Sequence, residues 1–223
     1  MKQKILLCLL LAGSFYLTTN AQIQKGKWIG GLTLNGYQRT TNGYTPTIQD
    51  YTGITKTFNT QITVGKMINK HWLLGIGLVY GHVLGRSIDP LSSTRYNTKT
   101  VNQEIGPLVQ TGYYKEVAKN VYLSILFDFS YLDYKYTLRQ DYGSANERKL
   151  EQKGYKIKSS FTPLQCSYLY KNKFLVSLNL ANISYNFRTF DNGSTNIGGY
   201  FKESELVYSL NPFQNGISFS YIF

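Results

Sequence analysis

Val121-Tyr122-Leu123-Ser124-Ile125-Leu126-Phe127-Asp128-Phe129-Ser130-Tyr131 places Val121, Leu123, Ile125, Phe127, Phe129 and Tyr131 on one parity and Ser124, Asp128 and Ser130 on the other. Successive side chains of a strand point to opposite faces, so this run predicts a β-strand with one apolar and one polar face. The same period recurs. Trp28, Leu32 and Leu34 oppose Thr33 and Asn35, and Phe58, Ile62, Val64 and Ile68 oppose Asn59, Gln61 and Thr63. Trp72, Leu74, Ile76, Leu78, Tyr80 and Leu84 oppose Gly75, Gly77 and Gly81, glycines that leave room for larger neighbours. Val101, Ile105, Val109 and Tyr113 oppose Asn102, Glu104, Gln110 and Gly112. Less regular segments follow over 154–170, 174–190 and 202–223, making eight in all. Alternation over about ten residues per segment is the pattern of a membrane-barrel strand.

The joints sort into two kinds. Asn69-Lys70-His71, Ala118-Lys119-Asn120 and Lys171-Asn172-Lys173 are short polar turns, each followed by an aromatic or branched residue. Between them lie polar connections over 40–53, 87–100, 140–149 and 191–201, with turn chemistry at Thr41-Asn42-Gly43, Asp89-Pro90, Gly143-Ser144 and Asp191-Asn192-Gly193-Ser194. Short and long joints alternate strictly. A closed antiparallel barrel with short turns at one rim and longer loops at the other requires that sorting, and a sandwich does not. Pro107 and Pro163 fall inside strands, where proline marks either a bulge or a non-bonded position.

The chain has 223 residues, 42% hydrophobic, 15% aromatic and 16% charged. Its 20 Tyr, 12 Phe and 20 Gly against 5 Pro favour strands and exclude disorder or a coiled coil. The net charge of +12 would suit nucleic acid or an anionic surface. The N-terminus decides between these. Lys2 and Lys4 precede the apolar run Ile5 to Ala12, and Thr19-Asn20-Ala21 ends a cleavable export signal over 1–21, leaving 22–223 as one barrel domain. Its apolar run is too short for a membrane anchor, and Leu6-Leu7 before Cys8 lacks the small residue that lipid attachment needs. Export removes Cys8, so Cys166 has no internal disulfide partner, and nucleic acid is not expected as a partner.

The C-terminus alternates Ile217, Phe219, Tyr221 and Phe223 with Ser218 and Ser220, and ends on the aromatic. This resembles the insertion signal read by outer-membrane assembly machinery. Signal, alternation and loop sorting together resemble the Bacteroidetes outer-membrane β-barrel family, PorT-like or porin-like, and in architecture the OmpA/OmpX class of small barrels. The resemblance covers nearly all of 22–223 and rests on patterns, not invariant residues. It implies an all-β, transmembrane, eight-stranded antiparallel up-and-down barrel in a Gram-negative outer membrane. It also leaves open assistance to secretion or passage of a small solute.

Such a fold assigns places to the remaining residues. Trp28, Trp72, Tyr113, Phe174 and Tyr221 fall near the turn rim as an aromatic girdle. Eight strands enclose only enough space for side chains, so the lumen is expected to be filled. Glu104 and Asp128 lie on the inward parity, with Arg39, Lys156 and Lys158 as counter-charges in a lumenal polar network. Lys56, Arg86, Arg95, Lys99, Arg139, Arg148, Lys149, Lys153, Arg188 and Lys202 gather at the long-loop end. They form either a solvated rim or one that meets lipopolysaccharide phosphates. Tyr37, Tyr44, Tyr51, Tyr96, Tyr134, Tyr136, Tyr142 and Tyr200 form an upper girdle or a surface for a protein or glycan ligand.

The search for chemistry finds little. His82, Ser87 and Glu104 could be proposed as the set of a lipid A-modifying enzyme, without any matching local motif, and His71 lies in a turn. Two separated histidines and one cysteine offer no metal-ligand spacing, and Gly30-Gly31, Gly75-x-Gly77 and Gly198-Gly199 lack the context of phosphate loops. No catalytic residue, cofactor or metal is expected. The sequence predicts a non-catalytic barrel that displays four loops for envelope, lipopolysaccharide or partner contacts.

Overall fold

A computed structural model of the chain describes residues 23–45, 48–89, 96–141, 147–191 and 200–223. The expected signal peptide 1–21 and the loop tips, with Arg95, Tyr142 and Gly198-Gly199, lie outside the described residues. Strands β1 (Trp28–Thr45), β2 (Ile48–Met67), β3 (Trp72–Asp89), β4 (Tyr96–Ala118), β5 (Val121–Asp141), β6 (Glu147–Tyr170) and β7 (Phe174–Asp191) pair antiparallel with their sequence neighbours. A broken last strand, β8 (Tyr200–Ser209) and β9 (Ile217–Ile222), flanks one helical turn, α1 (Pro212–Asn215). β9 pairs with β7 on one side and with β1 on the other, over Ile29–Leu34. The ring is therefore closed: an all-β, antiparallel up-and-down barrel. At the seam Trp28 and Phe223 exchange two backbone hydrogen bonds of 2.9 Å.

The short turns form where the sequence places them. Asn69 Oδ1 accepts the backbone N–H groups of His71 (2.8 Å) and Trp72 (2.9 Å), and so closes the first. Asn120, Lys171 and Asn172 take positive φ of 63°, 49° and 60°, a region Asn tolerates better than most residues. The other rim differs from expectation. Most of 40–53 and 87–100 is strand, because β1 and β2 run to Thr45 and from Ile48, and β3 and β4 run to Asp89 and from Tyr96. These stretches are polar on both parities, which reads as loop in a sequence, yet their backbones complete the ladder beyond the apolar wall.

The prolines divide between the two expected readings. Pro107 sits in a gap of the β4–β5 ladder without a register shift, so its missing N–H faces an unbonded site. Pro163 lies within an irregularity of both β6 ladders, a bulge.

The expected eighth strand, 202–223, is a single strand only in part. Pro212 lacks an N–H and Gly216 has φ +95°, so the ladder cannot continue through 210–216. Side chains take over there. Asn179 of β7 donates through Nδ2 to the Asn215 carbonyl (3.1 Å), and Asn215 Nδ2 donates to the Ser209 carbonyl (3.2 Å). Beyond the break, among the described residues, β8 pairs only with β7, and β1 from Asn35 outward has no strand on that side. A Cβ on Gly216 would stand 2.8 Å from the Leu34 carbonyl oxygen, at the last paired position of β1. Gly216→Ala is therefore expected to lower stability by about 2 kcal/mol, through φ strain and this clash, measured as the urea midpoint of the barrel in lipid vesicles.

Candidate functional site

The outer wall comes directly from the alternation. Ile76 (64% exposed), Leu78, Ile62, Ile105 and Val109 would be an untenable apolar surface in water and are ordinary against lipid. Trp28, Trp72, Phe174 and Tyr221 stand exposed at the turn rim, with Tyr113 half-buried beside Trp72. Phe174 packs edge-on against Tyr221 at 5.1 Å. Ile217, Phe219, Tyr221 and Phe223 all face outward on the closing strand. A second aromatic ring, Tyr80, Tyr131, Tyr155 and Tyr185, lies further along the strands, with Tyr131 stacked on Tyr155 at 5.6 Å. Trp72 to Tyr80 on β3 rises about 20 Å at ~3.3 Å per residue and a tilt of ~40°, close to the ~25 Å of a membrane-barrel belt. Above it the strands continue well clear of the belt.

The lumen is filled in layers. At the turn rim an apolar plug of Ile29, Met67, Leu73, Tyr114, Tyr122, Leu126, Leu169, Leu175 and Ile222 closes the barrel. Ile23 enters the same plug, and its backbone N–H donates to the Tyr122 hydroxyl (3.2 Å). No inward apolar layer was expected from the sequence. Its signal was available, as Met67, Leu73, Leu169 and Leu175 break the polar parity beside the short turns.

Above the plug runs a polar chain. Ser124 Oγ donates to Gln165 Oε1 and Gln165 Nε2 to Asn179 Oδ1, both at 2.7 Å, linking β5, β6, β7 and α1. Gln110 Nε2 donates to Asp128 Oδ1 (2.9 Å), and Lys156 Nζ forms an ion pair with Glu104 Oε2 at 2.7 Å. Gly81 makes room for that carboxylate, since a Cβ there would meet Glu104 Cγ at 2.5 Å. Lys158 joins Glu104 and Asp128 around a cavity of about 120 Å³, which Asn35, Asn182 and Asn215 also line.

The structure thus gathers Glu104, Asp128, Lys156 and Lys158 in the lumen, and places Arg39 apart. Arg39 is exposed: among the described residues no strand pairs with β1 beyond Leu34 on the broken side. Tyr134 is a correction to the rim set, being 8% exposed within the wall. Tyr37 stands exposed at the open edge of β1, and Tyr136 is half-buried. Of Tyr44, Tyr51, Tyr96 and Tyr200 only the backbone is described. Arg188 is bonded to Glu203 (2.6 Å), and Lys202 is exposed on β8. His82 lies on the outward parity, whereas Ser87 and Glu104 lie on the inward one, so these three do not converge. His71 Nδ1 contacts the Tyr114 carbonyl at 2.9 Å, and half-buried Cys166 lies within β6. Among the described residues no three His, Cys, Asp or Glu side chains gather as a metal site.

Ladder closure and wall chemistry define the class, a closed β-barrel of the membrane-spanning kind. No family model matches the chain, and no curated protein matches it. It is similar to the outer-membrane protein OprG from Pseudomonas aeruginosa at 10% identity and a TM-score of 0.38, over 91% of this chain and 98% of that one. It is also similar to the translocator domain of the autotransporter NalP from Neisseria meningitidis, at 14% identity and a TM-score of 0.38, over 93% of this chain and 66% of that one. The barrel assignment rests on the register of the strands and not on these likenesses.

The Glu104–Lys156 pair gives a prediction. Glu104→Gln alone leaves Lys156 without its acid, and Lys156→Met alone leaves a lumenal carboxylate without its paired cation. Each is expected to lower the unfolding free energy by on the order of 3 kcal/mol, and the double variant to recover most of that loss. A double-mutant cycle in vesicles measures it.

Proposed function

We propose that this is a non-catalytic integral barrel of an outer membrane, with a closed lumen and a working surface on the protruding wall and loops. The observation that carries the reading is the filled interior: an apolar plug at one rim, a hydrogen-bonded polar layer above it, and a remaining cavity of about 120 Å³. That space is enough for a few waters. An N-terminal stretch that reads as an export signal and the outward run Ile217, Phe219, Tyr221 and Phe223 support delivery to, and insertion in, an outer membrane. Placing His82 outside and Glu104 inside supports a role without catalysis.

One observation favours a second reading, passage of a small solute. The break in the last strand opens β1 beyond Leu34 beside the cavity, which Asn35 and Asn215 both line. Planar-bilayer recording on the folded protein separates the two. A closed lumen is expected to give no steady single-channel openings, while unboiled protein still shows heat-modifiable migration on gels. Steady, ion-dependent openings would establish the transport reading in its place.

A further inference from the structure

Strand register brings together four cations that lie far apart in sequence. Arg86 of β3 stands directly opposite Lys99 of β4, Lys99 opposite Arg139 of β5, and Arg139 opposite Lys149 of β6. All four share the outward parity of Tyr80, Ile105, Tyr131 and Tyr155 on their strands. The row is thus a ladder of like charges on the outside of the barrel, spanning ~14 Å at ~4.8 Å between strands. Like charges directly opposite one another destabilise a sheet, so an anion that meets several of the four at once would stabilise the row. A second tier lies nearer the belt, where Lys135 stands opposite Lys153. Glu151, between the tiers, bonds Lys149 at 2.7 Å and lies 3.8 Å from Lys135. Asp133 faces outward below Lys135, and Asp141 and Glu147 follow further out in register.

Height selects the partner. Lys153 precedes Tyr155 by two positions and Lys149 by six, which places them ~5 Å and ~15 Å above the aromatic ring along the barrel axis. Arg86 likewise lies six positions beyond Tyr80. Polar head groups add only ~5–8 Å to each side of the hydrocarbon, so a glycerophospholipid phosphate reaches the lower tier and falls short of the row. A glycolipid that carries phosphates on its sugars reaches both.

We propose that the outer wall of β3–β6 binds a phosphorylated glycolipid of the lipopolysaccharide class, its inner phosphate at Lys135 and Lys153 and its outer phosphates along Arg86, Lys99, Arg139 and Lys149. This rests on the outer-membrane reading above. Arg and Lys donate charge-assisted hydrogen bonds to phosphate oxygens, and several cations acting together near an anionic surface add up to a substantial affinity.

The test uses the protein purified folded in non-ionic detergent, its fold checked by heat-modifiable migration. Binding of rough lipopolysaccharide is measured for the wild type and for Arg86→Gln/Lys99→Gln/Arg139→Gln/Lys149→Gln. A charge-matched control, Lys70→Gln/Lys115→Gln/Lys119→Gln/Lys173→Gln, removes cations near the turn rim. The row variant is expected to bind at least about tenfold more weakly, the control to bind as the wild type does, and chemically dephosphorylated lipopolysaccharide to abolish the difference. Arg139→Gln/Lys149→Gln serves if the quadruple variant does not fold, with an expected loss of a few-fold. Equal binding by row variant and wild type, or equally effective competition by phosphatidylglycerol vesicles, would overturn the proposal. A folded barrel that fails this test leaves the closed-lumen reading untouched, whereas steady conductance overturns that reading without bearing on the cation row.

Discussion

Within hydrocarbon no water is present to satisfy a backbone N–H or C=O, so every strand edge must find another strand. In this chain that requirement converges on the pairing of β1 with β9, where Ile29–Leu34 meet Ile217–Ile222 and Trp28 and Phe223 exchange their backbone bonds. The first and last strands of the sequence must therefore register against each other. The alternation of every strand then follows one inside and one outside. A slip of one residue at this seam would turn Ile217, Phe219 and Tyr221 into the lumen and Ser218 and Ser220 to lipid.

Closure at eight strands leaves an interior of side-chain width, and the chain fills it unevenly. Near the short turns the filling is apolar, with Met67, Leu73, Leu169 and Leu175 almost fully buried. In the middle it is polar, and serine, glutamine and asparagine bond across strands in short links. An apolar layer needs no hydrogen-bond partners, so it seals tightly where the three short turns converge. A polar layer holds its shape only if its groups are matched, and the Glu104–Lys156 and Asp128–Gln110 pairs do this matching.

What the sequence made legible follows from where the solvent changes. Strands were visible wherever lipid lies outside and protein inside, because those faces demand opposite side chains, as in Val121 to Tyr131. They became invisible above the belt, where both faces of Ile48–Gly53 and Tyr96–Thr100 carry polar side chains and no parity survives. The apolar plug was readable in principle, since Leu73 and Leu175 each follow the first residue after a short turn on the wrong parity. Of the lumenal set, Glu104, Asp128, Lys156 and Lys158 needed only parity, whereas excluding Arg39 needed knowledge of which edge of β1 is bare. The cation row was beyond reach of any single strand. Arg86, Lys99, Arg139 and Lys149 become neighbours only through three successive registers.

The broken last strand shows how the closure rule bends without failing. Through 210–216 the chain gives up ladder pairing, yet α1 bonds internally from Asn215 to Asn211, and Asn179 and Asn215 cap the ends on either side. Side chains thus stand in for a missing strand over a short stretch, as they do where non-helical backbone survives in membrane proteins by being buried in protein. The result is asymmetric. β9 completes the ring at the turn half, while β8 continues outward paired with β7 alone, Leu206, Tyr208 and Leu210 exposed on its outer side. Asn35 and Asn215, on opposite sides of this break, both line the lumenal cavity. Any exchange between the interior and its surroundings has its shortest path here, where the wall is held by three asparagine contacts and one glycine. Elsewhere neighbouring strands pair along most of their length, apart from the gap at Pro107 and the bulge at Pro163.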